Sequence, residues 1–150
     1  MEQKTFYEII AFAIDREREA VQFYHELQDI VQFAPRRELL RELEDMEKGH
    51  IKMLEGIRDG KTQIRDIPQI ANLHLSEYLV PAKPTAQMSY QDIILTAMKR
   101  EETSLRLYTD LANLSADPTA KQLFQRLAAE EAKHKLHFEK IYEDEILSDN

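Results

Sequence analysis

The sequence contains no cysteine, and that absence removes disulfides, thiol nucleophiles, iron–sulfur clusters and thiolate-bound zinc from its chemistry. Glycine is scarce at three residues, and with five prolines in 150 positions there is little to interrupt helices. No run reaches the roughly 18 consecutive apolar residues that suggest a membrane span. The stretch from Met1 to Ile14 carries acidic residues and no apolar run ahead of a small-residue cleavage site, so it does not read as a secretion signal. The cytoplasm is the expected compartment. Basic residues number 20 against 28 acidic ones and form no run, and the net charge of -8 speaks against nucleic-acid binding.

What remains favours helices. Charged residues make up 32% of a chain otherwise rich in alanine and leucine, which points to an all-α fold. Its 150 residues suit a single domain, 1–150, with a continuous core. Thr5-Phe6-Tyr7-Glu8 reads as a capping box opening a first helix, in which Phe6, Ile9, Ala13, Glu17, Ala20, Tyr24, Leu27 and Val31 recur at three- and four-residue steps. Pro35 suits the first turn of a second helix, whose inward stripe is Leu40, Leu43, Glu47, His50, Leu54 and Ile57 and whose stop is Gly60. Ser89 to Asp92 repeats the first cap, and Asp117-Pro118 opens a fourth helix. The predicted helices span about 5–32, 35–58, 89–115 and 118–147.

Between them, about 59–88, the helical period breaks at Pro68, Pro81 and Pro84. A connection this long is expected to cross the length of a bundle and bring the third helix parallel to the second. Its apolar residues, among them Ile64, Ile67, Ile70, Leu73, Tyr78 and Leu79, are expected to cover a bundle face or to meet a second copy of the chain as a homodimer.

The third and fourth helices repeat the first and second at an offset of 84 residues: Ile9 with Ile93, Ala13 with Ala97, Leu27 with Leu111, Leu43 with Leu127 and Ile57 with Ile141. The chain therefore reads as a duplicated helical hairpin, two copies closing a core that neither covers alone.

Polar residues share this register. Glu47 and His50 recur as Glu131 and His134; Glu17 and Glu101 stand 30 residues before those glutamates, and Tyr24 and Tyr108 follow seven residues after Glu17 and Glu101. Residues three apart on a helix project from one face, so each Glu-x-x-His pair can grip one cluster. All six metal-ligand types interrupt apolar stripes, a costly placement unless something compensates.

One glutamate from each of two helices and a Glu-x-x-His pair from each of the other two is the ligand plan of dinuclear carboxylate bundles. Four carboxylates balance two divalent ions. Oxygen and imidazole donors suit iron or manganese, or a mixed Fe/Mn pair; zinc could sit there without redox chemistry. Glu47 and Glu131 are the expected bridges, with Glu17 and His50 on one ion and Glu101 and His134 on the other, or the crossed pairing. Tyr24 and Tyr108 are expected to reach a carboxylate across the core and to take part in catalysis from outside the ligand set.

The segments REREAVQFYHEL and KREETSLRLYTDL, followed by EDMEKGHIKMLEGI and AAEEAKHKLHFEKI, resemble the two metal-binding hairpins of rubrerythrins, in the ferritin-like superfamily, over roughly Thr5 to Leu147. The resemblance implies two iron ions on Glu17, Glu47, His50, Glu101, Glu131 and His134. It also implies reduction of peroxide or dioxygen, or oxidation of ferrous iron, in oxidative-stress chemistry. Two departures stand out: full rubrerythrins carry a cysteine-ligated rubredoxin domain, and they tend to have a glutamate where Ser104 stands. The first implies a separate electron-donor protein. Other functional classes consistent with the residues are an iron-handling module and a structural or regulatory bundle holding a non-redox metal.

The remaining polar residues have ordinary readings. Glu19 and Glu102 point off the stripe and read as surface charge. His25, His74 and His137 lack repeat partners and read as surface or interface histidines, whereas Met46, Met53, Met88 and Met98 read as core filler.

Overall fold

The computed structural model describes residues 6–60, 75–79 and 88–147. Thr5, His74, the three prolines of the connection and its isoleucines and Leu73 lie outside these. Four helices dominate: α1 (Phe6–Ile30), α2 (Ala34–Arg58), α3 (Tyr90–Leu114) and α4 (Pro118–Ile141). The architecture is that of a ferritin-like four-helix bundle.

Local chemistry sets the helix ends. Pro35 lies in the first turn of α2, where its missing N–H costs nothing. The Ser89 hydroxyl accepts from the Asp92 N–H at 3.1 Å, and the Asp117 carboxylate from the Ala120 N–H at 2.9 Å. Gly60 stops α2 in the left-handed region, at φ 76°, with its N–H donating to the Ile57 carbonyl. α4 departs from its expected course: past Ile141 the α-helix widens into a π turn, Tyr142–Leu147. There Glu145 pairs with Arg36 of α2 and accepts from the Tyr90 hydroxyl of α3 at 3.0 Å.

The core lies in two clusters. One joins Phe6, Ile10 and Ile14 at the start of α1 with Leu54 and Ile57 at the end of α2, Leu107 and Leu111 late in α3, and Phe124 early in α4. The other joins Phe23 and Leu27 late in α1 with Leu40 and Leu43 early in α2, Ile93 and Ala97 early in α3, and Phe138 late in α4. α2 and α3 therefore run parallel, both from the second cluster to the first. α3 thus begins at the opposite end of the bundle from where α2 finishes.

Part of that connection is a 3₁₀ turn, Leu75–Tyr78, which covers α3. Its Tyr78 is buried, donates to Asp110 at 2.6 Å and lies under the Arg106 guanidinium, 5.0 Å from the ring centre.

Candidate metal centre

Between the two apolar clusters lies a polar layer. Glu17 on α1, Glu47 and His50 on α2, Glu101 on α3, and Glu131 and His134 on α4 all point inward, and none is more than 4% exposed. The stripes that bury leucine and isoleucine above and below carry these six residues in with them.

They form two overlapping groups. Glu17, Glu47, His50 and Glu131 each offer one donor atom within 4.8 Å of the others, as do Glu47, Glu101, Glu131 and His134. Glu47 and Glu131 belong to both, whereas Glu17 sorts with His50 and Glu101 with His134. The uncrossed pairing is the one this geometry favours. Both imidazoles turn Nδ1 inward: His50 Nδ1 is 2.9 Å from Glu131 and 3.4 Å from Glu47, and His134 Nδ1 is 3.1 Å from Glu47 and 3.4 Å from Glu101.

These contacts have the length of hydrogen bonds without their direction. Glu17 Oε2, Glu47 Oε1, His50 Nδ1, Glu101 Oε2, Glu131 Oε1 and His134 Nδ1 are all buried with no hydrogen-bond partner. One such atom commonly costs about 1–3 kcal/mol, and six converging on one spot are far too costly to be incidental packing. Their lone pairs converge where a cation would satisfy them, and the oxygen and imidazole donor set fits a pair of iron ions.

Electrostatics give the same picture from the proton side. Burial pushes the Glu17 carboxyl well above its usual range, reinforced by the neighbouring Glu47 charge, and burial with the charges of Glu101 and Glu47 does the same to Glu131. Burial opposes ionisation of Glu47 as well, but its contacts with Glu17, His134 and His50 outweigh that and hold it well below the carboxylate range. Burial disfavours charged imidazoles, yet the surrounding glutamates push His50 up to about 11 and His134 to about 9. Burial and the neighbouring charges thus favour protons on Glu17, Glu131 and both histidines. Divalent cations would displace them.

The tyrosines reach across the bundle. Tyr108 of α3 donates to Glu17 of α1 at 2.6 Å, and Tyr24 of α1 donates to Glu101 of α3. Each thereby fixes a carboxylate of the opposite hairpin. Burial and the adjacent carboxylate charge raise both phenols well above their ordinary value, so each stays a proton donor.

Two residues escape a search for repeats. The outer nitrogen of His50, Nε2, hydrogen-bonds Glu130 of α4, while that of His134 faces the Met46 sulfur of α2 at 3.4 Å. Met46 is 41% exposed rather than core filler. Position 46 lies one residue before Glu47, about 100° around the helix, which turns it off the inward stripe. Glu19 is a surface residue paired with Arg16 at 3.1 Å; His25 is mostly exposed, 3.0 Å from the buried Glu44; and Ser104 lines a small surface recess with Arg16, Thr103 and Tyr78.

A bundle of two duplicated hairpins with a buried acidic and histidine layer compatible with a diiron site is the arrangement of a ferritin-like protein. The rubrerythrin family model matches residues 8–142, and the chain belongs to that family. No curated protein matches it significantly. Among solved structures, a hypothetical protein from Pyrococcus furiosus superposes with a TM-score of 0.73 at 24% identity, over 92% of this chain and 88% of that one, a likeness of fold.

Proposed function

We propose that the chain is a non-haem diiron oxidoreductase that reduces peroxide or dioxygen, or oxidises ferrous iron, at the six-residue cluster. The six buried donor atoms without hydrogen-bond partners carry this reading. Glu17 and His50 would hold one ion and Glu101 and His134 the other, with Glu47 and Glu131 shared. When bound, the ions would supply one-electron redox chemistry toward dioxygen or peroxide.

The protein's own residues handle geometry and protons. Reducing peroxide to two waters takes two electrons and two protons. In this reading the electrons come from a separate donor protein. The Tyr108 and Tyr24 hydroxyls keep Glu17 and Glu101 in place, and the surrounding leucine and phenylalanine clusters exclude bulk water. A cytoplasmic location and a homodimeric state belong to the same reading.

The deciding experiment is peroxide consumption by the iron-loaded protein with a chemical reductant, alongside element-specific anomalous scattering at the cluster. Turnover that falls to background in Glu47→Ala is the expected result. Equal turnover in that variant, or no iron at the cluster after anaerobic loading, would overturn the assignment.

A further inference from the structure

The 84-residue repeat holds for every ligand but fails at the atoms that back the histidines. Glu130 and Met46 occupy equivalent positions, each immediately before the glutamate of its Glu-x-x-His pair. Each faces the histidine of the other hairpin: Glu130 sits on His50 Nε2, and Met46 on His134 Nε2. Arg126 Nε lies 3.5 Å from the other oxygen of Glu130 and helps to aim it.

The two partners differ in kind. A carboxylate that accepts the outer N–H fixes the ring's tautomer and plane and makes the inward nitrogen a better donor. A thioether sulfur is a weak acceptor and does little of either. We propose that Glu130 is a positioning residue that makes the two metal positions inequivalent: the position of Glu17 and His50 binds more tightly and fills first, and that of Glu101 and His134 is the exchangeable one. The exchangeable position is also the one whose histidine is backed by a solvent-exposed side chain, Met46. The inference rests on the dinuclear reading of the cluster.

The test is anaerobic calorimetric titration of the metal-free full chain with Co²⁺, following the visible Co²⁺ spectrum in parallel. The wild type is expected to bind two ions in steps separated by about 10- to 100-fold in affinity. Glu130→Met should close that gap by weakening the first step, and Met46→Glu should close it by tightening the second. A merely structural role for either residue predicts weakening alone, so the gain in Met46→Glu separates the two explanations. That variant also carries the test if Glu130→Met does not fold. Two equivalent steps in the wild type, or a gap unchanged by Met46→Glu, would overturn the inference and leave the dinuclear reading standing. Co²⁺ binding unaffected by Glu47→Ala would overturn that reading itself.

Discussion

The hairpins α1–α2 and α3–α4 bring the same polar residues and most of the same core positions into register, but they fill several of those positions differently. α4 places Phe124 and Phe138 where α2 has Leu40 and Leu54, so both site tyrosines stack on α4: Tyr24 on Phe138 with ring centres 6.0 Å apart, and Tyr108 on Phe124 at 6.4 Å. α2 has Glu44 where α4 has Ala128, and that carboxylate accepts from Gln28 at 2.8 Å and pairs with Lys48 at 2.7 Å. Six side chains must converge on one spot from four helices, which leaves their positions no freedom. Apolar volume can be redistributed between facing helices as long as the total fills the core, so the same offset tolerates phenylalanine opposite leucine.

The sharpest way to break the equivalence of the halves is to compare shared with private ligands. Glu47→Ala and Glu131→Ala should each lose both ions, whereas Glu17→Ala and Glu101→Ala should each retain about one of the two per chain. Metal analysis after gel filtration checks this. Loss of a single ion in Glu47→Ala would show that this residue serves one hairpin only.

A second effect comes from protons. Glu17 and Glu131, raised above their ordinary 4.5, and His50 and His134, raised above 6.5 to about 11 and about 9, all bind protons more tightly when folded. Their stabilisation of the metal-free protein is complete below those ordinary values and is lost as pH rises through the folded ones. Glu47 has the opposite sign, and its contribution is lost as pH falls below 4.5. The melting temperature of metal-free protein should therefore fall by at least about 5 °C between about pH 6 and pH 10. Metal loading should flatten that slope and release protons near neutrality, which melting curves and an unbuffered titration measure.

The smallest effect tests a difference in packing. Glu44→Ala gives α2 the residue α4 already has at that position; its exposed partners His25 and Lys48 can turn to water, and Gln28 keeps its bond to the Tyr24 carbonyl. It should cost less than about 1 kcal/mol in a denaturant titration. A larger loss would mean that the Glu44 network holds the first hairpin together in a way the second does not need.

The same comparison explains what was legible in the sequence. The six converging residues and both tyrosines could be singled out because they recur in register, and the parallel course of α2 and α3 followed from the length of the connection. Glu130 and Met46 could not, because their significance lies in a mismatch between repeats, off the inward stripe and across the bundle. The π turn was equally hidden: Tyr142 and Ile146, four residues apart, fit the face of an α-helix, and only the structure shows Glu145 anchored by Arg36 and Tyr90 where the winding changes.

The polar layer has one more consequence, for how the chain assembles. Each apolar cluster draws on one end of all four helices, so neither hairpin owns a core and a lone hairpin would leave half of each cluster wet. Joining the hairpins therefore removes the leucines and the six ionisable groups from water in a single event. Cooperative folding and the burial of the polar layer are tied to one seam, and whatever loosens that seam loosens both.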